Sequence, residues 1–145
     1  MRRSRNGVRR AFTIIEVIVI VVILGIIAAV IAPRLLGRVG ESRKSVAKNN
    51  AASLFTAMQL YVSDCGMPEP GAPITILWER PSNVDESRWK GPYVQNIDDL
   101  RDPWGNFFVL VVPGNVNVDF DIVSYGQDGQ PGGEGENEDI IHGKR

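Results

Sequence analysis

The stretch AFTIIEVIVIVVILGIIAAVIAP, residues 11–33, sets one carboxylate, Glu16, inside an apolar run, directly behind a leader that carries Arg2, Arg3, Arg5, Arg9 and Arg10. Residues 12–32 would span roughly 31 Å as a helix at about 1.5 Å per residue, the thickness of a hydrocarbon core. From residue 17 to residue 32 no side chain is polar, so Glu16 enters the bilayer with the segment or holds the segment at its edge. An acidic residue near the centre of a membrane helix costs about 2.5–3.5 kcal/mol, and less near its end. Such a charge calls for a partner.

Three fates are open to this segment. A secretory signal would be cut behind small residues such as Ala28, Ala29 or Ala32, but this run is longer than the usual apolar core and starts with a carboxylate. A plain anchor would stay uncut. In the third case the chain is cut ahead of the run, so that the apolar helix is kept and a new amine appears near Glu16. The denser basic cluster at the N-terminus favours keeping that end cytoplasmic, although Arg34, Arg38, Arg43 and Lys44 follow the span.

Outward from this stretch, the chain has 16 basic and 17 acidic residues; without residues 1–11 the balance is 11 to 17, a formal charge of −6. That excess of negative charge excludes nucleic-acid binding, because no basic surface remains to release counterions from phosphates. The remainder suffices for one small domain. Cys65 stands alone and cannot close an intrachain disulfide. It reads either as a small residue at a helix end or as a thiol for an intermolecular bridge.

Helix is expected to continue after Pro33 to about residue 62, since Ala47, Ala51, Leu54, Met58 and Tyr61 recur at spacings of four and three while Arg43, Lys44, Lys48, Asn49 and Gln59 lie off that stripe. Pro33 and Gly37 are expected to bend or partly melt it. Asp64, Cys65, Gly66, Met67 and Pro68 end it. Residues 66–92, rich in proline and glycine, read as a connection with a short helix or strand in the apolar island 74–78. Asp-Pro-Trp-Gly-Asn at 102–106 is turn chemistry leading into a strand at 107–112. A Pro-Gly-Asn turn at 113–115 then joins it to a second strand at 118–124, where Val118, Phe120, Ile122 and Ser124 alternate with Asp119, Asp121 and Val123. The result is an antiparallel hairpin packed on the long helix. No repeat, nucleotide loop, zinc spacing or Ser/His/Asp set can be assembled, and His142 in the tail reads as solvated. An enzyme is not expected.

Residues 124–140, SYGQDGQPGGEGENEDI, combine five glycines with five carboxylates. Glycines let a backbone turn its carbonyls inward and carboxylates are hard oxygen ligands, a combination that suits Ca²⁺ better than the strictly octahedral Mg²⁺. The spacing is not that of an EF-hand. On composition alone a solvated loop is the readier reading.

Residues 11–16 resemble the processing site of type IV pilins and of the pseudopilins of type II secretion. The resemblance implies a cut between Ala11 and Phe12 by a prepilin peptidase, N-methylation of Phe12, and Glu16 as the fifth residue of the mature chain. Pro33 becomes the twenty-second, where that family also carries proline. The family's usual residue before the cut is glycine; here it is Ala11. Glu16 of an entering subunit would pair with the Phe12 amine of its neighbour, an assembly contact that relieves two buried charges.

The C-terminal motifs, Asp-Pro-Trp-Gly-Asn at 102–106 and Ser-Tyr-Gly-Gln-Asp-Gly at 124–129 with Glu-Asp-Ile at 138–140, are similar to those of the major pseudopilins of type II secretion. This implies a calcium ion held by the Tyr125 carbonyl, Asp128 and Asp139, with Glu134, Glu136 and Asn137 as further candidates, in place of the disulfide of many pilins. The fold implied is α+β and type IV pilin-like: a long N-terminal helix, apolar in its first half, packed on a small C-terminal antiparallel sheet with a calcium-binding loop. The organisation is leader 1–11, membrane and filament-core helix 12–32, and periplasmic domain 33–145, comprising helix to about 62, a variable loop 63–101, and hairpin with acidic loop 102–145.

The function implied is that of a structural subunit stored in the inner membrane as a single-pass protein. It polymerises with itself into a periplasmic pseudopilus that drives exoproteins across the outer membrane, with minor pseudopilins, the assembly platform and the prepilin peptidase as partners. A type IV pilin of an adhesion or DNA-uptake fibre, or a membrane-anchored calcium-dependent binding module, would share several of these features.

Overall fold

The computed structural model describes residues 12–143, the side chains of 33–38 excepted. The chain divides between Arg38 and Val39 into two compact units. One long helix, α1 (Ile14–Cys65), contributes to both. Its helical assignment runs without a break through Pro33 and Gly37, so the expected melting there is not seen. The leader 1–11, including Ala11, lies outside the described residues.

In the folded unit α1 buries the stripe that its periodicity announces: Ala47, Ala51, Leu54, Met58 and Tyr61 are all at most 3% exposed. A helix hydrophobic on one face alone is stable only when that face is covered. Here the cover comes from Ile74, Leu77, Leu100, Phe108, Leu110, Phe120 and Ile122. The helix stops at Gly66, whose φ of +92° only glycine adopts without strain, and whose N–H closes on the Val62 carbonyl at 2.9 Å.

The apolar island in the connection is a 3-10 turn, Ile74–Leu77, opened by Pro73 and burying Ile74, Ile76 and Leu77. The connection returns to the helix end. The Tyr93 N–H donates to Leu77 O at 2.8 Å and its hydroxyl donates to Asp64 Oδ2 at 3.0 Å. Cys65 is half-buried beneath it, its Sγ 3.7 Å from the Tyr93 hydroxyl oxygen.

A three-stranded antiparallel sheet follows in the order β1 (Val109–Val111), β2 (Asp121–Ser124), β3 (Ile140–Ile141). The hairpin has the expected sense, with Leu110 opposite Ile122, but both strands are shorter than the alternation suggests. Val118 is 92% exposed, outside the sheet, and Asp121, expected to face outward, is fully buried. The reason is local. The Asp121 carboxylate collects the N–H groups of Asn115, Val116 and Asn117 and the Asn117 amide, which closes residues 112–120 into a broad loop where a tight turn was expected. Burial alone would raise the Asp121 pKa, but these donors outweigh it and hold the carboxyl below its ordinary value.

The tail corrects a second expectation. Ile140 and Ile141 pair with Ser124 and Val123, and His142 is half-buried with its ring 4.6 Å from that of Phe55. Its carbonyl accepts from Asn117 Nδ2 at 2.8 Å, so it is tied down on both sides.

Candidate functional site

The first half of α1 is apolar and uncovered. Every described side chain from residue 12 to residue 32 is exposed, although all except Thr13 and Glu16 are apolar or glycine. The segment Ile14–Ala32 is long and apolar enough to cross a membrane. Phe12 stands just ahead of the helix, and Glu16 lies in its first turn. Thr13 Oγ1 accepts the Glu16 N–H at 3.3 Å, half of a Thr-x-x-Glu capping box whose spacing is itself a sequence signal for the helix start. An acid in a first turn gains about 0.3–1 kcal/mol from the helix dipole, well short of the cost of burying it in lipid. The local role does not remove the need for a partner.

The acidic loop hangs on a lock that joins the two C-terminal motifs. Asp102, only 5% exposed, takes the Trp104 and Asn106 N–H groups on Oδ1 at 3.1 and 2.9 Å and the Ser124 hydroxyl on Oδ2 at 2.7 Å. Ser124 Oγ in turn accepts the Gly126 N–H at 3.2 Å, and Asn106 Nδ2 donates to the Gly126 carbonyl at 2.9 Å. Gly126 has φ +64°, and a Cβ there would stand 2.5 Å from the Glu136 carbonyl. Only glycine fits where the two ends of the loop meet, and the Gln127 N–H closes them on that same carbonyl at 2.9 Å.

Within the loop the carboxylates go separate ways. Asp128 Oδ1 accepts the Gln130 N–H at 3.1 Å in an Asx turn, and both Asp139 oxygens accept the Gly132 N–H at 3.0 and 2.9 Å. Glu136 Oε2 accepts from Trp104 Nε1 at 3.1 Å and meets the Arg43 guanidinium at 3.4 Å. Glu138 meets Lys44 Nζ at 2.7 Å, a hydrogen bond that raises the lysine pKa against the opposing effect of desolvation. Glu134 opens the 3-10 turn Gly135–Asn137, and Asn137 is half-buried behind it.

A cleft of about 360 Å³ lies among Glu134, Glu138, Asp139 and Gly132, Gly133 and Gly135. Asp128, Glu134 and Asp139 have no cationic side chain within ion-pair distance among the described residues. This donor set is all oxygen and fits a hard cation in kind. In position it is spread out, for no three His, Cys, Asp or Glu side chains converge on one point among the described residues.

Comparison with known proteins places this architecture. The family model described as type II secretion system protein G matches residues 34–143. A type II secretion system core protein G of Vibrio cholerae is 34% identical, over 97% of this chain and 94% of its own length. One of Pseudomonas aeruginosa is also 34% identical, over 96% of this chain and 95% of its own. The crystal structure of the major pseudopilin from the type 2 secretion system of enterohaemorrhagic Escherichia coli superposes with a TM-score of 0.58 at 24% identity, covering 75% of this chain and 93% of that one. The shared fold, and sequence similarity running from the apolar helix through the acidic loop, establish that the chain belongs to the type II secretion system protein G family.

Proposed function

We propose that this chain is a major pseudopilin, a structural and non-catalytic subunit. It is stored in the inner membrane through the first half of α1, with its folded unit in the periplasm, and polymerises into the pseudopilus that moves exoproteins across the outer membrane. The observation that carries this reading is the apolar segment Ile14–Ala32, exposed along its whole length on a chain of the protein G family. Lipid covers such a surface before assembly; neighbouring copies cover it afterwards.

Cutting between Ala11 and Phe12 gives the helix a cationic amine, and Glu16 of the next subunit is its counter-charge. The pair fixes axial register, since a shift of one subunit would leave both charges alone in an apolar filament core. Minor pseudopilins, the assembly platform and the prepilin peptidase are the partners this role requires. Glu16→Ala is expected to leave membrane insertion intact and to abolish filament assembly, read by shearing and cross-linking of membrane fractions. Normal filaments from that variant would remove the pairing role.

We also propose that the acidic loop takes Ca²⁺, with the Tyr125 carbonyl, Asp128 and Asp139 as ligands and Glu134 and Asn137 beside them. Support comes from carboxylates at 128, 134 and 139 that form no ion pair among the described residues, and from a loop whose two ends are already fastened at Gly126. The ion's role is to neutralise crowded charge and stabilise the fold by mass action. Millimolar Ca²⁺ is expected to raise the melting temperature of the wild type and not that of Asp128→Ala; an unchanged wild-type melt would discard the ion.

A further inference from the structure

We infer that Glu136 is the docking residue of the acidic loop, its carboxylate seated on the bare backbone of α1 at Gly40, and that it stands outside the oxygens that would take a cation. The second half of this statement rests on the calcium reading above; the first does not.

Gly40 lies inside a helix, where glycine is about 1 kcal/mol worse than alanine, so its place there needs a compensating contact. That contact is visible. A Cβ at Gly40 would stand 2.8 Å from Glu136 Oε1, 3.0 Å from its Cγ and 3.2 Å from its Cδ, and Gly40 is buried beneath it. A flexible glutamate could ordinarily swing aside from such a clash, but this one is held at both ends. Its carbonyl accepts the Gln127 N–H at 2.9 Å, and its Oε2 accepts the half-buried Trp104 indole N–H at 3.1 Å.

Arg43, at 3.4 Å and 45% exposed, adds little energy by itself, since exposed ion pairs are worth little, but it sets the sign of the surroundings. A divalent cation on Glu136 would have to sit beside a guanidinium and strip the indole of its acceptor. The cleft of the acidic loop is lined by Glu134, Glu138 and Asp139, and Glu136 is not among its walls. Glu136 thus ties together three parts of the sequence: the first turns of the folded unit, the Asp-Pro-Trp-Gly-Asn turn and the acidic loop.

The test uses the full chain in detergent, melted first in chelator and then in a Ca²⁺ titration. In chelator, Glu136→Gln, Trp104→Phe and Gly40→Ala are each expected to lower the melting temperature, by about 4–8 °C for the loss of one such interaction in a domain of this size. The diagnostic is a sign reversal: Gly40→Ala destabilises the wild type, yet stabilises the Glu136→Ala background, where only the helix preference for alanine remains. In Ca²⁺, Glu136→Gln is expected to keep the full wild-type rise, whereas Asp128→Ala loses it. Gly40→Ala raising the melting temperature of the wild type would overturn the docking contact. A Glu136→Gln protein that melts normally in chelator but no longer responds to Ca²⁺ would make Glu136 a ligand. A wild type that does not respond to Ca²⁺ would remove the calcium reading alone, and the sign reversal would still decide the docking.

Discussion

Asp121 shows how far one buried carboxylate can reorganise its neighbourhood. Four donors from residues 115–117 converge on it at zero exposure. Removing it as Asp121→Ala leaves those donors without their acceptor and is expected to cost about 3 kcal/mol, measured by urea denaturation. Its titration gives a sharper test. The folded pKa lies below the unfolded value of about 3.9, so its contribution is complete above that value and is lost as pH falls through the folded one. The wild-type melting temperature should drop below about pH 4, and Asp121→Asn should flatten that limb; an unchanged limb would place the acid sensitivity elsewhere. In the sequence this residue is indistinguishable from Asp119, since both fall on the polar phase of an alternating segment. What separates them is the loop that folds back on one of them, a tertiary event with no periodic signature.

Among the elements, α1 was the most legible, because a stripe at spacings of four and three survives any detail of packing; all five expected core residues are buried, with Ala57 beside them. The short strands were legible in sense but not in length. With three and four residues, β1 and β2 are defined by each other and by Asp121 more than by their own alternation. The two-residue β3 carried no signal at all, since Ile140 and Ile141 become a strand only because β2 leaves an edge to pair with. At this scale the lock around Gly126 makes a firm prediction. Gly126→Ala meets both a φ of +64° and a backbone carbonyl 2.5 Å away, atoms that cannot rotate aside. A loss of more than about 2 kcal/mol is expected, together with faster proteolysis within residues 127–139. A variant that resists protease like the wild type would show that the loop does not depend on this closure.

For the whole molecule, the division between Arg38 and Val39 separates two kinds of surface. The folded unit buries a core of apolar side chains, with Leu60 and Val118 among those left outside it, whereas the segment Ile14–Ala32 buries none. Glu16, to which we assign the assembly contact, stands out in the sequence because a charge in an apolar run is costly wherever it occurs. The residues that fasten the acidic loop were not readable: Glu136 looks like any acid in SYGQDGQPGGEGENEDI until Gly40 and Trp104 are brought against it. The pseudopilin role requires that the apolar helix be kept and a new N-terminus be exposed at Phe12. The mature N-terminus, determined by intact mass and terminal sequencing of protein isolated from membranes of cells that carry the prepilin peptidase, tests this most directly. A chain beginning at N-methylated Phe12 is the result expected; one beginning at Met1, or after Ala32, would contradict it.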